Sequence, residues 1–499
     1  MAIVPLPSNP NLERLKATAK DLRDLVRAGV DGAIEAVREH HPRMASLHAG
    51  SPEAVAFKLA AAQLTVARHH GFASWPKLVA HVESVHAFAR SPHEHLGDGT
   101  ARDGDELIRL ACINYGDDSP SRVTAALALW RADPVVATSS IFTAAAVGDH
   151  TIVAALVASR RGAAIESGGP FDWPPLLYAT YSRLVTGAPS HDFVETVRVL
   201  LGAGAEPNTG FLWDGLVPPF TAITGVVGRG EQGATPDVQQ LALLQLLLDA
   251  GADPNDGQIV YNAGIGNARP TDDTDWLELL LTHGLGQPTN GPWYRRFGDP
   301  LAEPATLIAE LLHDAARRGF VNRATLLLDH GADPNRSGDH PGFRDHSPYQ
   351  DAVERGYPHI ATLLTGRGVR PTPVGPVELV VGRCLAAEPV TSEEVLAARV
   401  HTPDLVRVAT ELQKPIATIR RLIDLGWDIN AKNRTTALHE AAMLGDLDRV
   451  RALVALGADP TIHDDSFDAT PAGWAEHFGN DDARQYLDGL TRQISQHDA

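Results

Sequence analysis

The chain has 499 residues, 43 % hydrophobic and 21 % charged, a folded composition too long for one hydrophobic core. Its net charge of −19 excludes a general nucleic-acid role, which needs a basic face to displace counterions. Two cysteines, Cys112 and Cys384, are too few for a disulfide framework or a thiolate zinc site, and no run of about 18 apolar residues offers a membrane span.

The first residues lack a basic stretch followed by an apolar one, so the sequence predicts a cytoplasmic chain that is not exported. Residues 1–100 carry 11 Lys/Arg against 10 Asp/Glu, a net of +1, which leaves −20 for the other 399. That asymmetry divides a leader, residues 1–97, from an acidic remainder. In the leader, Leu12, Leu15, Ala19, Leu22, Leu25 and Val26 share one helical face, and Phe57, Ala60, Ala61, Leu64 and Ala67 share another. Ser74-Trp75-Pro76 opens a further helix carrying Leu78, Val79, Val82 and Val85. The pairs His40-His41 and His69-His70 and the triplet His93-Glu94-His95 invite a metal reading. Adjacent helical side chains point about 100° apart and no HExxH pattern occurs, so they are read as surface or cap residues and no metal is predicted.

From residue 98 to 490 one phrase recurs: an apolar run, Gly, a small residue, a polar residue, Pro and Asn. It reads LLGAGAEPN at 200–208, LLDAGADPN at 247–255, LLDHGADPN at 327–335 and LVALGADPT at 453–461, with weaker copies at 280–288, 363–371 and 422–430. Gly204, Gly251, Gly284, Gly331, Gly368, Gly426 and Gly457 are 47, 33, 47, 37, 58 and 31 residues apart. Spacings near 33 are single modules, the 47s carry insertions, and the 58 hides a degenerate module. The phrase ends a helix, because Gly takes the left-handed C′ position without steric cost and Pro cannot continue the helix. Upstream, a capping Ser or Thr opens a first helix, as in Ser347-Pro348 and Thr470-Pro471, and small pairs such as Ala144-Ala145, Ala315-Ala316 and Ala441-Ala442 pack it. Insertions are expected near 209–219, 228–238, 289–304 and 336–346, and a tail at 491–499.

The residues Thr436, Leu438, His439, Ala441, Ala442, Gly445, Val450, Leu453, Gly457, Ala458 and Asp459 resemble the ankyrin repeat. The likeness extends over roughly 105–490 and implies an all-α fold. That fold is an ankyrin-repeat solenoid of about eleven helix pairs in one continuous array, without a second globular core, behind an N-terminal helical domain. It also implies that His439 is the repeat's structural histidine, bonding backbone in the turn. The segment from Ala67 to Leu78, ARHHGFASWPKL, is similar to leader domains found ahead of ankyrin arrays in bacterial proteins. Only six of the 43 basic residues are Lys, which points to the same GC-rich bacterial source.

No GxSxG, phosphate loop or strand-borne GxGxxG is present, and the run Gly225–Gly230 follows a helix-like segment, so no catalytic residue and no cofactor are predicted. The ankyrin register implies that first-helix residues beside the small pair face a concave groove. Those residues are Thr143, Tyr178, Tyr181, Asn262, Asp314, Arg317, Arg318, Asp351, Glu354, Arg355 and Glu440. The insertions add Phe211, Trp213, Trp293, Tyr294, Arg295, Arg296, Phe343, Arg344 and His346. Trp, Tyr and Arg bury much area and still hydrogen-bond, which suits a binding surface. The leading expectation is a cytosolic protein that binds a protein or peptide partner through groove and insertions, with neither nucleic acid nor membrane as partner. The alternative is a small-molecule site in the mid-array groove, or an acid/base enzyme there using Asp314, Asp351, Glu354, Tyr178 and Tyr181, in a biosynthetic or resistance pathway.

Overall fold

The computed structural model describes residues 4–97, 99, 101, 103–185, 191–228, 230, 239–265, 271–336, 343 and 346–497. The leader consists of helices Leu12–Arg27, Asp31–His40, Pro52–Val55, Leu59–His69 and Trp75–Phe88. Asn11, Ser51 and Ser74 cap three of them by accepting backbone N–H bonds from Arg14, Ala54 and Lys77. Leu15, Ala19, Val26, Ile34, Val37, Phe57, Ala62, Val66, Leu78 and Val82 form its core. Two details differ from the sequence reading. Leu25 is exposed, and Leu59–His69 buries Ala62 and Val66 in place of Ala60 and Leu64. Ala60, Ala61 and Ala62 put small apolar residues on three sides of that helix, so periodicity alone did not select its inner face.

From residue 104 the chain is a stack of helical hairpins. The first five pair Gly104–Ala111 with Pro120–Ala132, Ile141–Ala146 with His150–Ser159, Pro175–Tyr181 with Phe193–Gly202, Ala222–Val227 with Gln240–Asp249, and Gly257–Ile259 with Asp275–Thr282. The next three pair Pro304–Arg318 with Val321–Asp329, Pro348–Glu354 with Pro358–Gly366, and Pro376–Leu385 with Ser392–His401. The last three pair Leu405–Glu411 with Ile416–Asp424, Ala437–Leu444 with Leu447–Ala455, and Pro471–His477 with Asp481–His497, so the final helix runs into the segment expected to be a tail. All seven stop glycines have positive φ. At Gly331, with φ +86°, the N–H donates to Leu328 O while Ala332 N–H donates to Leu327 O, which closes the helix end. His439 has the expected role: Nδ1 lies 2.8 Å from Thr436 Oγ1 and Nε2 lies 3.1 Å from the Ala469 carbonyl oxygen.

The stack is continuous, but its buried apolar core is not. One cluster runs from Leu107 to Val369 and a second from Val380 to Leu487. The division falls in the 58-residue interval, where the hairpin Pro376–His401 carries no stop phrase.

The 209–219 insertion is a β-hairpin. Gly210–Trp213 pairs antiparallel with Phe220–Thr221 and parallel with Ala89–Arg90 at the end of the leader. The 289–304 insertion supplies helix Pro292–Phe297, whose Trp293 and Phe297 pack with Val85 and Leu212. Trp293 meets the Phe88 ring edge-on at 5.0 Å, and Arg296 lies 4.3 Å over that ring. Ser91 Oγ donates to Asp214 Oδ1 at 2.6 Å, and Arg90 pairs with Asp172 at 2.9 Å. These two insertions therefore hold the leader, a role the sequence reading did not give them. The 228–238 insertion lies outside the described residues except Gly228 and Gly230, and so does 336–346 except Arg336, Phe343 and His346.

Candidate functional site

The turn between the two helices of a hairpin sets the site. In two hairpins a positive-φ glycine, Gly148 or Gly445, is followed by an aspartate that caps the second helix. Asp149 accepts from Thr151 and Ile152 N–H, and Asp446 accepts from Arg449 N–H. At the same place after Gly319, Gly356 and Gln413, all at positive φ, stand Phe320, Tyr357 and Lys414. The register is fixed by backbone. The N–H groups of Asp149, Phe320, Tyr357 and Lys414 donate to the carbonyls of Ala144, Ala315, Ala352 and Ala409, each five residues back. Replacing an acidic cap by two rings and an amine reverses the local charge.

These turns, with the ends of their first helices, line a cleft of about 860 Å³ that spans the division between the two core clusters. Asp314, Arg317, Arg318 and Arg355 from the sequence reading are there, joined by Lys414 and Glu411. Arg318 Nε donates to the buried Asp314 carboxylate at 2.8 Å. Burial raises the Asp314 pKa, and the Arg318 charge opposes that rise. Arg317 Nε and Arg355 Nε lie 3.8 and 3.9 Å from the same Asp351 oxygen, so two guanidinium groups share one carboxylate oxygen. Arg317 also lies 5.4 Å from the Phe343 ring centroid. Lys414 Nζ donates to Gly356 O at 2.9 Å and sits 3.4 Å over the Tyr357 ring. Tyr357 Oη donates to Leu412 O at 3.4 Å, so contacts cross the core division from both sides. Burial lowers the pKa of Arg317, and Arg355 lowers it further. Burial likewise brings Lys414 down to about 7, with Arg355 adding to the effect. Arg355 thus acts on both Arg317 and Lys414, while Asp351, Asp314 and Glu411 oppose its effect on Arg317, and Glu411 also pairs with Arg407 at 3.0 Å.

The remaining candidates are elsewhere. Tyr178 and Tyr181 are completely buried and belong to the core, which corrects their placement in the groove. Tyr178 Oη donates to Gly168 O at 2.7 Å, Tyr181 Oη donates to Thr221 O at 2.9 Å, and burial pushes both phenols upward. Short first helices with Ala on both sides sink their aromatics into neighbouring hairpins, so the implied register failed there. Thr143 and Glu440 are also buried, the latter between Thr435 at 2.6 Å and Arg407 at 3.4 Å. Asn262 is buried and donates to Tyr115 Oη at 3.0 Å. Asp351 lies 3.6 Å from His313 and 3.8 Å from His346, behind the cleft wall. Glu354 does not line the cleft; burial raises its pKa and the His346 charge opposes that. Arg295 is exposed at the end of its helix and bonds to Asn290 O. Trp213, Trp293 and Tyr294 line a second cavity, of about 760 Å³.

Sequence reasoning missed Lys414, Tyr357 and Phe320. The signal was legible: each follows a turn residue at the place where other modules carry Asp. Among the described residues no group of three His, Cys, Asp or Glu is arranged to hold a metal, and no helix is long and apolar enough to cross a membrane.

The ankyrin repeat family model matches residues 311–339 and 433–465. The first stretch contains the Asp314–Arg318 wall of the cleft and the second contains His439 and Asp446. Comparison with curated proteins finds no match.

Proposed function

From an all-helical stack that carries two ankyrin repeats, we propose a binding protein that receives an acidic segment of a protein partner in the cleft between Arg317 and Lys414. The observation that carries this reading is that Arg317 and Arg355 share one Asp351 oxygen, at 3.8 and 3.9 Å, in a cleft lined by Arg317, Arg318, Arg355 and Lys414 against Asp314 and Glu411, so an incoming carboxylate finds positive charge in excess. Tyr357 and Phe320 add aromatic walls of the kind that anchor interfaces. A stack of hairpins offers a long, rigid surface, which favours association without a large ordering cost. The cytoplasm is the compartment proposed, because Cys112 and Cys384 are buried as free thiols.

Random peptide display against the immobilised full chain tests the reading. Selected peptides should be enriched in Asp and Glu. Arg317→Ala and Arg355→Ala should each weaken them at least about tenfold, about 1.4 kcal/mol, with unchanged melting. Affinity should also fall with added salt. Peptides without acidic enrichment, or variants that bind them normally, would overturn it.

A further inference from the structure

The second cavity carries the opposite charge. Its walls are the 210–221 hairpin, the turn 252–261, helix Pro292–Phe297 and the helix Pro304–Arg318. Five aromatic rings line it, those of Trp213, Phe220, Tyr261, Trp293 and Tyr294. Asp253, Asp256 and Glu310 line it too, and no Lys, Arg or His is found among the described lining residues.

The two aspartates are held by neutral donors. Asp256 Oδ2 accepts from Thr221 Oγ1 at 2.5 Å and Thr224 Oγ1 at 2.7 Å, and Oδ1 accepts from Gln258 N–H at 2.8 Å and Ile259 N–H at 3.1 Å. Asp253 accepts from Asn255 N–H at 3.0 Å and Thr289 Oγ1 at 2.7 Å. Burial raises the Asp256 pKa, while its hydrogen bonds from Thr221, Thr224, Ile259 and Gln258 favour the charged form, and the aspartates give the cavity a negative field. The same field acts on the Tyr294 phenol, whose pKa is raised by burial and then by Asp253 and Asp256. A ring-lined cavity with a negative field and no basic side chain among its described lining residues selects a positive ligand with an apolar body, since π-faces attract cations and carboxylates repel anions.

We propose that this cavity binds an organic cation, an alkyl- or arylammonium compound. The ammonium rests among the rings near Asp253, and the apolar remainder occupies the proline-bordered space formed by Pro218, Pro219 and Pro300. The site is separate from the cationic cleft and does not depend on the acidic-partner reading.

Calorimetric titration of the full chain with benzyltrimethylammonium, benzyl alcohol and phenylacetate provides the test. The cation should bind saturably and at least about tenfold more tightly than the alcohol, with phenylacetate weakest. Asp253→Asn and Tyr261→Ala, the latter at a half-exposed ring, should each weaken the cation at least about fivefold while ligand-free melting is kept. Arg355→Ala should leave it unchanged, which separates this site from the cleft. Equal or tighter binding of the alcohol or phenylacetate overturns the proposal, as does absence of saturation by the cation. Because the three-ligand comparison uses the wild-type chain, it decides the matter even if a variant fails to fold.

Discussion

At Lys414, burial disfavours the ammonium, while the Gly356 carbonyl and the Tyr357 ring recover only part of the lost hydration. Its pKa in the fold, about 7, lies below the 10.5 of a free side chain. Between those values the unfolded chain holds a proton that the folded chain has released, so stability rises with pH across that window. Below pH 7 the full penalty of burying the charge applies. Lys414→Met should therefore raise the melting temperature most at pH 6, by about 2 °C, with the gain shrinking steadily toward pH 10. Thermal melts at pH 6, 8 and 10 check this; a gain that grows with pH would show that the charge stabilises the fold. The same residue marks a limit of sequence reading. A single Lys after a turn looks like an ordinary solvated charge until the module register places it beside Arg355.

Among the helix ends, two kinds of glycine do different work. Gly331 ends a second helix with φ +86° and open space where a Cβ would go, so only backbone strain opposes substitution. Gly319 joins two helices with φ +75°, and a Cβ there would come 2.4 Å from the Tyr357 ring. Gly331→Ala should cost about 1–2 kcal/mol. Gly319→Ala should cost more and also push the Tyr357 wall of the cleft. Urea midpoints of the two variants give the comparison, and equal midpoints would remove Tyr357 from its place in the turn. The stop glycines were legible because a helix end needs a left-handed residue whatever surrounds it. The insertions were legible as interruptions of the period and not in their role. Trp213 and Trp293 have the composition of an interface, which a leader helix of the same chain satisfies as well as a foreign partner does. Tyr178 and Tyr181 fit the groove register by position, and only three-dimensional packing shows that neighbouring hairpins close over them.

For the whole molecule the divided core matters most. In a stack where each hairpin contacts its neighbours, cooperativity passes through shared apolar surface. Between Val369 and Val380 that surface gives way to a polar seam crossed by Lys414 and Tyr357. Residues 104–369 and 376–487 should therefore lose structure in two steps. Hydrogen exchange in rising guanidinium, read by peptide, should resolve them, and a single concerted loss would mean that the seam transmits as well as the core. The leader has a different relation to the array, and it concerns time. Ala89–Arg90 pairs with Leu212–Trp213, and Phe88 packs on Trp293, about two hundred residues further along the chain. A ribosome adding about 5–20 residues per second needs roughly 10–40 s to supply that partner. Through that interval Phe88 is uncovered on a helix already made, so the nascent chain presents an apolar ring that chaperones can hold until its own later segments arrive.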